Sequence, residues 1–280
     1  MAVVGASDMP GKWGFNIINR ALETKDDRRI YAINDKRPEV HGLKTYKTVR
    51  DVPDAVDFAV IAIPFTDVPK VMEDCVAKGV KAGLIVSAGL GETGEEGAKL
   101  EQEMVAIARK GGMRFAGPNC MGHLNTGVDF YTTAFFEPVK RGNLGIVAQS
   151  GGFAGHIMHC GMEMGVGFSK VISSGNEADL HLEDYIEYLA QDPETKVIGA
   201  YVEGFREGRR FLKIAKETTR KKPIIVMKVG RTTAGAKAAR SHTGALSGSD
   251  IISDVALKQA GVIRVDEIEE LFDIAARGEG

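Results

Sequence analysis

The chain has 280 residues, of which 44% are hydrophobic and 26% charged, values that exclude a disordered chain and suit two globular domains with separate cores. A formal net charge of −2 gives no general attraction to nucleic acid or anionic membrane, so a phosphate-bearing ligand must be held by local features. The sequence has no apolar run near the ~20 residues of a membrane span, no signal-peptide pattern and no CxxC pair, which predicts a cytoplasmic protein without disulfides or zinc.

Short apolar runs alternate with longer amphipathic patterns from the first residues onward. The runs at residues 2–6, 30–34, 58–64, 82–87 and 114–116 predict strands, and the patterns at 11–23, 68–78 and 95–110 predict helices. Strands that are apolar on both faces and joined by helices belong to a parallel sheet that is covered on both sides. The first part of the chain is therefore predicted to be a doubly wound α/β domain.

The loop between the first strand and the first helix is rich in glycine. It runs from Gly5 through Ala6 and Ser7 to Gly11 and Gly14. In open α/β sheets this turn is where a phosphate rests on the N-terminus of a helix. The spacing G-x5-G-x2-G differs from the G-x-G-x-x-G of dinucleotide binders and from a Walker loop, so the sequence predicts a nucleotide site without naming its ligand. A purely structural glycine turn is the alternative.

Polar residues follow the second predicted strand. NAD-binding proteins place an acidic residue here for the ribose hydroxyls, whereas this chain has Asn34, followed by Asp35, Lys36 and Arg37. Basic residues at this point suit a phosphorylated ribose, such as that of NADP or the one that carries the 3′-phosphate of coenzyme A (CoA). Solvated surface charges are the alternative interpretation.

Three more loops leave the predicted strands at the same edge of the sheet. Pro64 ends the third strand, Ser87, Ala88 and Gly89 lie at the end of the fourth, and Asn119 follows the fifth. Ligands of such sheets bind outside the carboxyl ends of the strands. We therefore expect these residues to line the same nucleotide site, although a tight turn would also explain the loop after the fifth strand.

A second series of elements begins after a break in the pattern. Between residues 125 and 142 the periodicity fails, and Pro138 and Gly142 mark a linker. Strands are then predicted at 144–148, 168–173, 197–203, 224–229 and 262–265, with helices from 152 and near 182–190, 206–219 and 250–259, and an amphipathic segment at 267–277. The sequence thus predicts two successive doubly wound parallel-sheet α/β domains, residues 1–125 and 143–280, joined by a linker at 126–142.

The second domain contains a set of residues suited to phosphoryl chemistry. Ser150, Gly151 and Gly152 follow its first strand and open a helix, which is again an anion site. Glu203 ends the third strand, on the same edge as a loop of small residues, 235–248, that contains His242. Neutral imidazole is nucleophilic near pH 7, and a carboxylate bonded to one ring N–H orients the other nitrogen. The set predicts histidine phosphorylation; a surface histidine and a solvated strand end are the alternatives.

Other reactive side chains are given a packing role. His156, His159 and Glu163 share one face of a predicted helix and could bind a metal ion, but three methionines between residues 158 and 164 favour a helix packed in the core. Cys120 has no histidine–acid pair that can be placed beside it. We therefore expect no metal site and no cysteine nucleophile.

Six segments resemble those of the nucleoside-diphosphate-forming acyl-CoA synthetases, namely ADP-forming acetyl-CoA synthetase and, more distantly, the α-subunit of succinyl-CoA synthetase. They are Val4-Gly5-Ala6-Ser7, Ile33-Asn34-Asp35-Lys36, Gly117-Pro118-Asn119-Cys120, Gln149-Ser150-Gly151-Gly152, Ser174-Gly175-Asn176-Glu177-Ala178-Asp179 and Ser241-His242-Thr243-Gly244-Ala245-Leu246. The segments appear in family order over nearly the whole chain. One departure is Asp35, where the family usually has proline.

The resemblance implies a Rossmann-like CoA-binding domain followed by a flavodoxin-like domain with a phosphohistidine. His242 would be the phosphorylated residue, Glu203 its supporting carboxylate, and Ser150, Gly151 and Gly152 the phosphate site. The CoA site would comprise Gly5, Ala6, Ser7, Gly11, Gly14, Asn34, Lys36, Pro64, Ser87, Ala88, Gly89 and Asn119.

The reaction implied is acyl-CoA + phosphate + ADP ⇌ acid + CoA + ATP. The cofactors implied are CoA and, through a partner ATP-grasp subunit or domain, ATP or ADP with Mg²⁺; the other partners are a small carboxylic acid or its acyl-CoA and further copies in an oligomer, with neither nucleic acid nor membrane. Two alternatives remain at this point: a non-catalytic CoA-sensing module and an NADP-binding oxidoreductase.

Overall fold

The computed structural model describes residues 1–23, 28–133, 139–230 and 250–277. Contacts divide the chain into two compact units, the first comprising Met1–Leu124, Asp129–Phe136 and Gly175–Leu180, and the second Asn125–Val128, Glu137–Ser174 and His181–Gly280. Each unit is built on a mainly parallel sheet with helices, which confirms the predicted α/β class. In the described ranges, no helix is both long enough and apolar enough to cross a membrane.

The first unit follows the predicted alternation of strands and helices. Its strands are β1 (Ala2–Val4), β2 (Tyr31–Ile33), β3 (Glu39–Val40), β4 (Leu43–Tyr46), β5 (Phe58–Ile61), β6 (Ala82–Ile85) and β7 (Arg114–Ala116), and its helices are α1 (Trp13–Leu22), α2 (Val68–Lys78) and α3 (Glu95–Lys110). The sheet order is β3-β4-β2-β1-β5-β6-β7, and only the β3–β4 pair of this sheet is antiparallel. Buried Ile61, Met72, Leu84 and Phe115 fill the core.

After β7 the chain forms the short strands β8 (His123–Asn125) and β9 (Phe130–Tyr131), which belong to the second sheet. The second unit then contains β10 (Arg141–Ala148), β11 (Phe168–Ser173), β12 (Val197–Val202), β13 (Ile224–Lys228) and β14 (Ile263–Val265), with α4 (Gly151–Glu163), α5 (Leu182–Gln191), α6 (Gly208–Thr218), α7 (Asp250–Gln259) and α8 (Ile268–Arg277). The parallel order is β14-β13-β12-β10-β11. Every residue of β11 and β13 is buried, as expected for strands covered on both faces.

The sequence missed two pairs of short strands. Strands β3 and β4 form a hairpin whose turn residues, His41 and Gly42, both have positive φ, +49° and +75°. Two consecutive left-handed residues are what a two-residue hairpin turn requires, so the His-Gly pair was the available signal. Strand β8 ends just before the predicted linker, and β9 lies within it. The linker residues, 126–142, are divided between the two units.

Candidate functional site

The turn after β1 depends on two glycines. Gly5 has φ +86°, and a Cβ there would clash with the carbonyl oxygen of Ala62. Gly14 is the second residue of α1, where a Cβ would clash with the carbonyl oxygen of Gly5. The loop therefore packs directly onto the first turn of α1. The N-cap residue Lys12 makes no side-chain capping bond, so it does not compete with an anion for the N-terminal N–H groups.

Because of this close packing, Gly14→Ala is expected to lower the free energy of unfolding by about 1–3 kcal/mol, the usual range for overpacking. Gly208→Ala is the matched control, because Gly208 opens α6 and the nearest atom to an added Cβ is 3.9 Å away. Urea unfolding of the two variants beside the natural chain measures the difference. Equal stability of both variants would contradict the tight turn.

Asn34 holds two loops of this edge together. Its Nδ2 donates to the carbonyl oxygen of Ala6 at 2.8 Å, and its Oδ1 accepts from the backbone N–H groups of Lys36 at 2.8 Å and Arg37 at 3.0 Å. Both ends of the amide are therefore used by the protein itself. Asn34 shapes the site by fixing the position of the basic residues relative to the glycine loop.

The β3–β4 hairpin closes on the glycine loop. Asp8 accepts a hydrogen bond from the His41 N–H at 2.8 Å and pairs with the Arg37 guanidinium at 3.4 Å. The His41 Nε2 atom lies 3.1 Å from the carbonyl oxygen of Ser7. Arg37 is thus paired with Asp8. The other basic residue of this turn, Lys36, is exposed, and its ammonium forms no ion pair within the described ranges.

The loops that follow β5, β6 and β7 are joined by hydrogen bonds. The Ser87 hydroxyl donates to the Ile63 carbonyl oxygen at 2.6 Å and accepts from the Ile63 N–H at 3.3 Å. The Asn119 N–H donates to the Ser87 carbonyl oxygen at 2.9 Å. Gly89 has φ +97°, and a Cβ there would lie 2.7 Å from the ring of Phe65. Exposed Pro64 and Ala88 belong to the same two loops after β5 and β6.

Asn176, from the segment Gly175–Leu180 of the first unit, braces the loop after β6. Its Nδ2 donates to Glu92 at 2.5 Å and to Glu101 at 2.6 Å, and its Oδ1 accepts from the Asn119 amide at 3.1 Å. Burial alone would raise the pKa of Glu92, but hydrogen bonds from Asn176 and the Gly89 N–H hold it below its usual value. The segment thus supports two of the loops predicted to bind the ligand.

Asp179 anchors the same segment. Its fully buried carboxylate accepts from Arg109 Nε at 3.2 Å, Arg114 Nε at 2.7 Å and the Phe115 N–H at 3.1 Å. These three donors satisfy the hydrogen-bonding needs of the buried Asp179 carboxylate. The predicted family segment 174–179 therefore has a clear structural role in the first unit.

Cys120 is buried beside these loops. Its Sγ donates to the Ile85 carbonyl oxygen at 3.3 Å, and burial raises the pKa of the thiol to about 12. A thiol with so high a pKa is a poor nucleophile at neutral pH. The position agrees with the packing role that the sequence suggested.

In the second unit, the helix start predicted to hold a phosphate is well formed. The Ser150 hydroxyl accepts from the Phe153 N–H at 3.3 Å and so caps α4. Gly151 and Gly152 are the first residues of the helix, and no atom lies within 4 Å of the place that a Gly152 Cβ would take. An open, glycine-lined helix N-terminus is suited to binding an anion.

Glu203 lies at the end of the neighbouring strand and is buried. The side chain of Gln149 holds its backbone, because Gln149 Oε1 accepts from the Glu203 N–H at 2.6 Å and from the Gly204 N–H at 3.1 Å. Strands β10 and β12 are parallel neighbours, so Ser150 and Glu203 share one sheet edge, as predicted. His242 lies outside the described residues.

Lys228 was not identified from the sequence. It ends β13, is only 7% exposed, and donates to the carbonyl oxygens of Glu203 at 2.9 Å and Val229 at 2.6 Å. Burial, and secondarily the charge of Arg264, lowers the pKa of its ammonium. The available signal was a lysine at the carboxyl end of an otherwise apolar strand.

The possible metal ligands on α4 lie at the surface. His156 and His159 are exposed, and His159 Nε2 lies 3.5 Å from Glu163 Oε1. The expected packing of this helix in the core holds for the side that carries buried Ile157 and Met158, but not for the side that carries the two histidines. Across the described ranges, no group of three or more histidine, cysteine or acidic residues is arranged to hold a metal ion.

Two family models match the chain: residues 1–126 match the CoA binding domain, and residues 141–277 match the succinyl-CoA ligase like flavodoxin domain. The chain is 43% identical over 275 residues to the alpha subunit of ADP-forming acetate–CoA ligase II of Pyrococcus furiosus, covering 98% of this chain and 60% of the relative. It is 43% identical over 279 residues to the ADP-forming 4-hydroxybutyrate–CoA ligase of Nitrosopumilus maritimus, covering 98% of this chain and 40% of the relative.

A solved structure is similar to this chain over nearly its whole length. The dinucleotide forming acetyl-coenzyme A synthetase 1 of Ca. Korarchaeum cryptofilum, in complex with phosphate and ADP, superposes with a TM-score of 0.92 at 39% identity, covering 97% of this chain and 59% of that one. The chain thus spans about 60% of the length of the P. furiosus subunit. The matched domains, their order and these relatives show that the chain belongs to the NDP-forming acyl-CoA synthetase family.

Proposed function

We propose that this chain is the CoA-binding and phosphohistidine part of an ADP-forming acyl-CoA synthetase, which catalyses acyl-CoA + phosphate + ADP ⇌ acid + CoA + ATP. The observation that carries the proposal is the shared sheet edge of Glu203 and the capped, glycine-lined start of α4, in a chain whose two domains match this family. The P. furiosus relative is named as an alpha subunit, which supports the need for a second subunit.

The chemistry divides into three transfers. Phosphate attacks the thioester carbonyl carbon, the C–S bond breaks, and CoA leaves as its thiol after taking up a proton. One ring nitrogen of His242 then attacks the phosphorus of the acyl phosphate, and the P–O bond to the acyl group breaks to release the carboxylate. ADP finally takes the phosphoryl group and frees the imidazole. A covalent intermediate replaces one difficult exchange with easier steps.

The residues of the second unit have distinct tasks in these transfers. The N–H groups at the start of α4 and the Ser150 hydroxyl hold the phosphoryl oxygens, because a helix N-terminus favours negative charge. Glu203 accepts a hydrogen bond from the imidazole N–H, which orients the other ring nitrogen and stabilises positive charge on the ring. An ATP-grasp module, as a partner subunit or domain, binds ADP with Mg²⁺ and receives the phosphoryl group.

In the first unit, CoA binds at the carboxyl edge of the sheet. The diphosphate rests on the start of α1, and Lys36 reaches the 3′-phosphate. The remaining loops, which contain Pro64, Ser87 to Gly89 and Asn119, line the path of the ligand. Support comes from the tight Gly5–Gly14 packing and from the Asn34 bonds that fix the basic turn.

Calorimetry is expected to show that CoA binds more tightly than dephospho-CoA and far more tightly than NADP. Lys36→Ala is expected to weaken CoA binding roughly tenfold, at the low end for a charged hydrogen bond because the side chain is exposed. Lys110→Ala is the matched control, since exposed Lys110 precedes β7 at the opposite sheet edge.

Trp13, the single tryptophan, is 40% exposed at the start of α1, so its emission offers a second readout of the same titration. A preference for NADP, or an equal loss of affinity in both lysine variants, would contradict this assignment of the site.

A further inference from the structure

Lys228 is a buried lysine whose charge is not used in an ion pair within the described ranges. Its ammonium donates to two backbone carbonyl oxygens, those of Glu203 at 2.9 Å and Val229 at 2.6 Å. By contrast Lys170, the buried lysine of β11, pairs directly with Asp192 at 2.6 Å and with Glu194 at 3.2 Å. The charge of Lys170 is therefore neutralised by carboxylates, whereas that of Lys228 is not.

A buried ammonium is costly unless its charge is balanced. Burial lowers the pKa of Lys228 and the Arg264 cation lowers it further, while the smaller effects of the Asp250 and Glu203 charges oppose this. Hydrogen bonds to two carbonyl oxygens satisfy its donors but bring no opposite charge beside it. A lysine at this position therefore needs a reason beyond packing.

The geometry around Glu203 supplies that reason. Gln149 holds the Glu203 and Gly204 N–H groups through its Oε1, and its Nε2 donates to the Gly204 carbonyl oxygen at 2.8 Å. Lys228 holds the carbonyl oxygen of Glu203 from the other side. Gln149 follows β10 and Lys228 ends β13, the two parallel neighbours of β12. Side chains at the carboxyl ends of both flanking strands thus fix the peptide groups on either side of Glu203.

We propose that Lys228 is a positioning residue for Glu203, an inference that rests on the phosphohistidine chemistry proposed above. The carboxylate must meet one ring N–H of His242 in a narrow range of distance and angle, and a displacement of about 1 Å can cost ~10²-fold in rate. Lys228 prevents that displacement by holding the backbone from which the carboxylate extends.

The test is the rate of phosphoryl labelling of the full chain by radiolabelled acetyl phosphate, or by ATP with Mg²⁺ and an ATP-grasp partner. Lys228→Met, which removes the charge and the donors at similar volume, is expected to slow labelling roughly 10- to 100-fold. Lys228→Arg keeps the charge and the donors and should recover part of the rate. Lys170→Met is the matched control: it is expected to lower stability but to leave the labelling rate of the folded protein unchanged.

A double-mutant cycle separates positioning from a general structural role. If Lys228 acts through Glu203, the Lys228→Met/Glu203→Gln double variant should label no more slowly than Glu203→Gln alone. Labelling of Lys228→Met at the natural rate would overturn the inference, and so would a double variant whose loss equals the product of the two single losses. Lys228→Gln, which keeps one donor group, serves the same comparison if Lys228→Met does not fold. A natural chain that takes no label overturns the proposed function itself.

Discussion

Replacing His242 with alanine is expected to abolish phosphoryl labelling of this chain while CoA binding stays unchanged. Loss of a covalent nucleophile can cost on the order of 10⁶ in rate, so no label above background should remain. CoA binding should persist because its proposed residues belong to the first unit. The measurement is incorporation of radiolabel from an acyl phosphate, with CoA calorimetry on the same preparation.

Two exposed histidines of α4 provide the controls for this result. His156→Ala and His159→Ala remove imidazoles from the same unit, and both variants should take up label normally. Glu203→Gln should label more slowly, by about 10²- to 10⁴-fold, because the ring loses the acceptor that orients it. Label that persists in His242→Ala and disappears in one of the α4 variants would move the chemistry to α4.

The purified chain, given acyl-CoA, phosphate and ADP, is expected to make no ATP. The two matched domains are assigned to CoA and to the phosphohistidine, and the sequence contains no Walker loop. Adding an ATP-grasp subunit should raise turnover from background to a measurable rate, which a coupled assay for ATP follows.

The partner subunit alone, and the partner with the His242→Ala chain, are the controls for this second experiment, and both should stay at background. Robust ATP synthesis by the isolated chain would show that the nucleotide site had been misassigned. Binding of CoA without label or turnover in the presence of a competent partner would instead indicate a CoA-sensing module.

The α/β fold could be predicted from the alternation of apolar runs and helical patterns, because the central strands are buried on both faces. The run that became β13 is apolar up to its last residue, Lys228, and β11 is buried throughout although it includes Ser169 and Lys170. A helical pattern follows β11 at Leu182–Gln191. Such segments have few alternatives to a covered parallel sheet. The β3–β4 hairpin was not predicted because its strands are short and partly exposed, so no apolar run marks them.

The strand ends located the candidate site, but side-chain contacts could not be predicted in the same way. A long-range contact such as that between Lys228 and the Glu203 carbonyl oxygen depends on strand order, which periodicity does not specify. Likewise, Asn176 follows a strand of the second unit yet braces Glu92 of the first. In sequence, Asn34 stands where NAD-binding proteins have the residue that binds the ribose hydroxyls. In the structure, both ends of its amide are hydrogen-bonded to backbone groups.

The acid and base stability of the phosphoryl bond distinguishes a phosphohistidine from a phosphoserine. After labelling of the natural chain with acetyl phosphate, or with ATP, Mg²⁺ and the ATP-grasp partner, the label should be lost in acid and retained in base, as expected for a phosphoramidate. Mass spectrometry under mild conditions should place it on the peptide that contains His242. An acid-stable label on Ser241 or another hydroxyl, or a chain that takes no label beside a competent partner, would rule out phosphoryl transfer through His242.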